Sequence, residues 1–401
     1  MPDRSAADAL APAAGAARRG ALQLLSAGVL TAVVGFASAF PIVLQGLAGV
    51  GANPAQTASG LFALCVVQGL LGVLLSLAWR QPISIAWSTP GAALLISAGV
   101  PAGGFPVAVG AFLITAALIV TAGLWRGFAR AVASIPAGLA NAMLAGVLLE
   151  LCLAPLRAVE EMPGLALPIL LAWACAWRFA RPYAVPIAVL VTALIVALAT
   201  PFPMTALAHL RPEPLLAVPR FTLATVVSIA LPLFIVTMAS QNVPGLAVLT
   251  LNGYRPRVGP IFVSTGFASF ATALLGGHVV NLAAITAALA AGPEAHADPA
   301  RRYVAAVVAG SSYVLLGLLA GFAAAFVAAS PPLLIQAVAG LALLGSLASA
   351  LAASLAKDDE RLPVILTFVT TASGVTFFGV GAPFWGLVAG GLLLALGRLK
   401  R

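Results

Sequence analysis

The chain has 401 residues, 62% of them hydrophobic and 8% charged, with a formal net charge of +9. Soluble domains carry about 25% charged residues, so the composition excludes an ordinary soluble fold and reads as an all-α polytopic membrane protein. The basic residues occupy short loops between apolar runs, which makes them topology signals rather than a nucleic-acid surface.

Residues 1–19 form an Ala-rich N-terminal tail. The apolar run after Arg18 and Arg19 is long and lacks the early cleavage site of a signal peptide. Fourteen apolar segments then follow, at 21–45, 56–79, 83–98, 105–124, 131–151, 164–177, 183–200, 221–240, 259–275, 279–291, 303–328, 331–354, 362–379 and 383–397. Several fall short of the roughly 20 residues of a full helical span. With the amino terminus inside, seventeen of the twenty Lys and Arg residues fall in inner segments. Only Arg157, Arg211 and Arg220 fall in outer ones. This asymmetry places both termini in the cytoplasm.

Fourteen segments divide into two halves of seven. An odd number per half inverts the second relative to the first, an arrangement common in secondary transporters. Segment three, QPISIAWSTPGAALLISAG at 81–99, has an extended beginning (Pro82, Ile83, Ile85, Trp87) followed by a helix start. Ser88 or Thr89 can cap that start, Pro90 suits its first turn, and Gly91 allows close approach to the backbone. Segment ten repeats the plan. HVVNLA at 278–283 precedes TAALAAG at 286–292, with Asn281 before the turn and Thr286 in the first turn after Ile285. Extended backbone at membrane depth needs a protein partner or a cavity, and the two stretches can pair with each other. Each then delivers a helix N-terminus, which favours an anion such as a carboxylate. Trp87 sits beside the break, where an aromatic side chain can face a ring.

Segment eight carries the adjacent amides Gln241 and Asn242 before Pro244 and Gly245. Gln45 holds a similar place in segment one, and Asn141 is an isolated amide in segment five. Such amides either meet substrate or bond to neighbouring carbonyls. His278 follows Gly276 and Gly277 and is a candidate proton carrier, as is Glu150, the one acid near the interior of a predicted span. Cys65, Cys152 and Cys175 lie in apolar segments without metal spacing. There is no P-loop, no dinucleotide-binding glycine pattern and no nucleophile–base set, so no cofactor, metal or enzymatic activity is expected. Without an ATP site, secondary transport is preferred to primary transport. A channel or a membrane scaffold is the competing class, but a channel has no need of paired broken helices.

WSTPGAALL at 87–95, TMASQNVPGLAVL at 237–249 and GGHVVNLAAITAALAAGPEAHADPARRY at 276–303 resemble the bacterial benzoate:proton symporter family over about residues 20–400. That family is related in fold to nucleobase transporters and more distantly to sulfate and bicarbonate carriers. The resemblance implies fourteen segments in two inverted repeats. It also implies proton-driven uptake of benzoate or a close aromatic carboxylate across the inner membrane. A core domain is implied at 20–125 and 221–328, a gate domain at 126–200 and 329–401, and an outer loop at 201–220. Substrate, protons and lipid are the implied partners, and the fold suggests a homodimer. The carboxylate is expected near Gly91 and Ile285 with Ser88, Thr89 and Thr286, and the ring near Trp87. Gln241, Asn242, Asn281 and, more remotely, Gln45 complete the expected site. Nucleobase carriers place a glutamate in segment eight; here the matching residues Met238–Asn242 include no acid, which disfavours a nucleobase and fits a carboxylate. Another small anion or a nucleobase on the same scaffold is the alternative substrate.

Overall fold

The computed structural model describes residues 4–125, 127, 136–199, 212–283, 285–377 and 380–399. Arg126, Arg130, Arg211, Lys400 and Arg401 of the charge pattern lie outside them, as do most of the expected outer loop and the edges of segments five, seven and thirteen. In chain order the elements begin with α1 (Arg4–Gly49), α2 (Pro54–Trp79), β1 (Ile85–Trp87), α3 (Thr89–Ala98) and α4 (Phe105–Leu124). Next come α5 (Ala137–Glu161), α6 (Pro163–Phe179), α7 (Ala184–Ala199) and α8 (Leu223–Leu251). The remainder are α9 (Val258–Leu274), β2 (Val280–Leu282), α10 (Ile285–Ala291), α11 (Tyr303–Gly317), α12 (Ala320–Ala329), α13 (Pro332–Ser354), α14 (Arg361–Ala372) and α15 (Ala382–Leu399). Among the described residues, 7 helices are long and apolar enough to cross a membrane, or 8 if α11 and α12, bent by 58°, count as one span. The chain is therefore an all-α polytopic membrane protein and, among the described residues, carries one short two-stranded ribbon.

Local chemistry accounts for the interruptions. α2 starts with a capping box: Asn53 Oδ1 accepts from Gln56 N–H at 2.9 Å, and Gln56 Oε1 accepts from Asn53 N–H at 2.9 Å. α2 ends where Arg80 takes the left-handed conformation, φ 49°. α8 widens into a π-turn twice, at Val226–Ala230 and at Met238–Asn242. Each turn lies just ahead of a proline, Pro232 or Pro244. Proline brings no N–H to close the regular i→i−4 bond. The residues before them, Leu231 and Val243, instead bond five residues back, to the carbonyls of Val226 and Met238.

The packing is pseudo-symmetric. A shift of seven predicted segments relates α1 to α8, α2 to α9, β1–α3 to β2–α10, α4 to α11–α12, α5 to α13, α6 to α14 and α7 to α15. Under that exchange the pair α2–α11 becomes α9–α4, α1–α11 becomes α8–α4, and α6–α7 becomes α14–α15; all six contacts are made. β1–β2 and α5–α13 map onto themselves. Glycine allows the closest crossings on both sides. Gly310 packs on the Gly69 carbonyl between α11 and α2, and Gly123 packs on the Gly259 carbonyl between α4 and α9. The largest apolar core runs through α1 to α4 and α8 to α11 and continues into α5, α12 and α13. Smaller apolar clusters join α5, α6, α7 and α13, and α5, α14 and α15.

A Cβ at Gly310 would sit 2.5 Å from the Gly69 carbonyl oxygen and 2.9 Å from the Val73 side chain. Gly310→Val is expected to cost roughly 1–3 kcal/mol through overpacking and to lower the melting temperature in detergent. Gly391→Ala, whose Cβ meets nothing within 4 Å, should leave it unchanged in the same melt.

Candidate functional site

The site is organised by the ribbon. Strands β1 and β2 run antiparallel with Ile85 opposite Leu282, Ala86 opposite Asn281 and Trp87 opposite Val280. The ladder extends one bond at each end, Ser88 N–H to Val279 O at 3.3 Å and Ala283 N–H to Ser84 O at 2.9 Å. Helix side chains bond backbone groups at the outer edge of β2 and just before β1. Ser76 Oγ of α2 donates to Ile83 O and accepts Ile83 N–H (3.1 and 3.2 Å). Ser269 Oγ of α9 accepts Val280 N–H at 3.0 Å, and Asn242 Oδ1 of α8 accepts Leu282 N–H at 3.0 Å. The second π-turn of α8 carries Asn242 together with Gln241.

Ser88 leads directly from the ribbon into α3. Its Oγ caps the helix by accepting Gly91 N–H at 3.1 Å, and it accepts a second bond from Thr237 Oγ1 at 2.8 Å. Ala92 N–H bonds Ser88 O at 2.8 Å. Pro90 has no N–H, and those of Gly91 and Ala92 are committed inside the turn. Thr89 is thus the polar first-turn residue presented to the neighbouring cavity. Gly91 serves close packing, since a Cβ there would lie 2.5 Å from Leu233 Cδ1.

A cavity of ≈ 90 Å³ lies at this junction. Trp87 and Thr89 line it from the ribbon and α3, Gln241 from α8 and Thr286 from α10. Four expected site residues therefore meet. Sequence reasoning missed the rest of the wall: Gly35 and Ser38 of α1, Tyr313 of α11 and Ser346 of α13. Tyr313 stands edge-on to Trp87, ring centroids 5.8 Å apart at 78°, and Phe36 lies 6.1 Å from Trp87 on another side. A Cβ at Gly35 would collide with the Tyr313 hydroxyl, so glycine there gives the tyrosine its place. The available signal was Tyr313 itself, one of 4 tyrosines in the chain and lodged in an apolar run. A larger cavity of ≈ 360 Å³ adjoins, sharing Gln241 and Ser346 and running past Asn141 of α5 to Ala353 of α13.

The remaining expected residues lie elsewhere. Ser88 and Asn242 are structural partners of α3 and β2. Asn281 is fully buried in the ribbon and donates from Nδ2 to Leu282 O at 2.7 Å. His278 is fully buried, its Nδ1 3.1 Å from Val279 O, and lines neither cavity. Gln45 points its amide into the interior without a protein partner for Nε2. Glu150 is exposed and pairs with Arg157 at 3.6 Å. Ile285 is the first residue of α10; its side chain lies outside the described residues. No group of His, Cys, Asp or Glu able to hold a metal occurs among the described residues.

Broken helices meeting at a ribbon, with an internal cavity at their ends, define a membrane transport protein of the carrier type. The model of the benzoate membrane transport protein family matches residues 20–396, and the chain belongs to that family. It is 40% identical to the inner membrane protein YdcO of Escherichia coli K12 over 368 residues, covering 92% of this chain and 94% of that one. It is 32% identical to the benzoate membrane transport protein of Acinetobacter baylyi over 364 residues, covering 91% and 92%. Among solved structures, SLC26A9 superposes with a TM-score of 0.61 at 14% identity, covering 94% of this chain and 65% of that one. The transmembrane domain of the cyanobacterial bicarbonate transporter BicA gives 0.54 at 16% identity, covering 95% and 98%. These two share the fold.

Removing the Asn242 amide leaves the buried Leu282 N–H without its acceptor, which costs about 1–3 kcal/mol. Asn242→Ala is expected to speed amide exchange selectively across Val280–Ala283, read by hydrogen–deuterium exchange in detergent. Unchanged protection there would show that the amide does not hold the strand.

Proposed function

We propose that the chain is a secondary carrier of the inner membrane that takes up benzoate, or a closely related aromatic carboxylate, together with a proton by alternating access. The observation that carries this reading is the character of the cavity: two aromatic side chains, Trp87 and Tyr313, and the neutral polar side chains of Ser38, Thr89, Gln241, Thr286 and Ser346, with no acidic, basic or histidine residue among its described lining. A ring suits the edges of Trp87 and Tyr313. A carboxylate suits hydroxyl and amide donors beside the first turn of α3, where the helix dipole favours negative charge, and it meets no side-chain carboxylate to repel it.

The architecture of this reading is fourteen segments in two inverted repeats of seven, with both termini cytoplasmic. Segments one to four and eight to eleven form the core domain holding the cavity, and the rest form the gate. The larger cavity then leads from Gln241 towards Ala353, at the cytoplasmic end of α13, and supplies the route of release.

Purified protein in proteoliposomes is expected to take up labelled benzoate saturably under an inward proton gradient and to alkalinise the outer medium as it does so. Absence of saturable uptake, with other aromatic acids equally inert, would refute the substrate assignment. Trp87→Ala should raise KM for benzoate about tenfold through loss of the aromatic wall. Gln241→Glu places a carboxylate in both cavities. Its charged form repels the substrate carboxylate, and its neutral form does not. Uptake by this variant should therefore be poor at neutral pH and recover relative to the wild type as the pH falls and the side chain is neutralised. A variant whose deficit is the same at every pH would place Gln241 away from the carboxylate.

A further inference from the structure

A further, smaller chamber lies beside the start of β1, between α1, α2, α10 and α11. Its volume is ≈ 10 Å³ and its walls include Thr31, Gln68, Ser84, Thr286 and Tyr313. That space is about what one water molecule needs. Gln68 of α2 is fully buried, and neither its Nε2 nor its Oε1 has a hydrogen-bond partner on the protein. Ser84 Oγ, at the foot of β1, has none either. Buried polar groups are almost always partnered by protein or ordered water. Three unpartnered atoms around a one-water chamber therefore point to its occupant. Gln68 presents both an unpartnered donor group, Nε2, and an unpartnered acceptor, Oε1, so the occupant must both accept and donate. Water does both, whereas a metal cation would leave Nε2–H facing a positive charge.

Thr286 and Tyr313 line this chamber and the proposed substrate cavity alike. We propose that the chamber is a single-water site, held by Gln68 and Ser84, whose water donates to the Thr286 hydroxyl and so fixes the direction of that hydroxyl's own proton. A hydroxyl carries one hydrogen. Once its oxygen accepts from the water, its proton is free to point into the cavity, at the substrate carboxylate. Hydrogen bonds in such a chain polarise and strengthen one another. Gln68 is then a positioning residue for substrate, acting through water and Thr286; this role rests on the carboxylate reading given above, while the water site itself does not.

Two measurements on the full chain test it. A structure in nanodiscs at a resolution that shows ordered waters should reveal one peak within hydrogen-bonding distance of Gln68 and Ser84, absent in Gln68→Leu. No peak in the wild-type protein, or a peak that appears only with sodium present, overturns the water assignment. In proteoliposomes, Gln68→Leu and Thr286→Val should each raise KM for benzoate about tenfold, with little change in kcat. The double variant should be no worse than either single one, because both remove the same donor. An unshifted KM in Gln68→Leu, or effects that simply add, overturns the positioning role. Should Gln68→Leu fail to fold, Ser84→Ala removes one partner of the water with less change in volume and should shift KM in the same direction. Failure of the carboxylate reading is distinct: there the wild-type protein itself shows no saturable benzoate uptake, and the density at Gln68 still decides the water site.

Discussion

The pairing of β1 with β2 is the interaction on which the rest of the structure depends. Three residues from each half pair as strands inside an apolar bundle. Away from water each unpaired peptide group costs several kcal/mol. The ribbon answers part of that demand by pairing the strands with each other, and Ser76, Ser269 and Asn242 take up further backbone groups at Ile83, Val280 and Leu282. The two serines come from α2 and α9, the helices that exchange under the pseudo-symmetry, so the same solution is used twice. Because the ribbon is held from α2, α8 and α9, the first turns that leave it are fixed in position relative to α8 and α11.

The two half-helices are nevertheless finished differently. α3 is capped at its start by Ser88, which is itself anchored to α8 through Thr237. α10 is secured at its far end. The buried Arg302 donates to the carbonyls of Ala291, His296 and Ala297 at 3.0, 2.7 and 3.3 Å. A guanidinium at the last carbonyl of a short helix satisfies acceptors that the helix cannot and complements its dipole. One break is thus tied at the cavity and the other at the surface loop. This leaves Thr89 and Thr286 as the polar first-turn residues facing the same space.

What could be read from the amino-acid order was what is local. SIAWSTPG at 84–91 contains a strand, a cap and a helix start in eight consecutive residues, and the structure makes Ser88 the cap with Thr89 first in the helix. Within the described residues each expected apolar segment overlaps a helix, a bent helix pair or a strand–helix unit, because hydrophobic run length is also a local property; 7 or 8 of these helices are long and apolar enough to cross a membrane. The opposite wall of the cavity was not legible. Tyr313, Gly35 and Ser346 sit on helices whose rotation towards the ribbon is decided by tertiary contacts, among them the Gly69–Gly310 crossing that seats α11. Where His278 faces was not legible either: the turn after α9 sets the ring against its neighbour's carbonyl. Gln68 went unnoticed, since an amide in the middle of an apolar helix gives no hint from sequence of what it will face.

The absence of formal charge in the described lining of the cavity bears on the proposed coupling. A carboxylate bound to a neutral site gives the loaded carrier a net negative charge. Moving one elementary charge against an inside-negative potential costs about 2.3 kcal/mol per 100 mV. A site with a fixed cation would cancel that charge on the loaded carrier but would impose it, with opposite sign, on the returning one. A neutral site leaves the return step free of the potential and confines the electrical penalty to the loaded step, where a co-transported proton removes it. Proton symport therefore complements a cavity built from hydroxyls, an amide and aromatic rings: the protein supplies direction and shape, and the proton gradient supplies both the driving force and the charge balance.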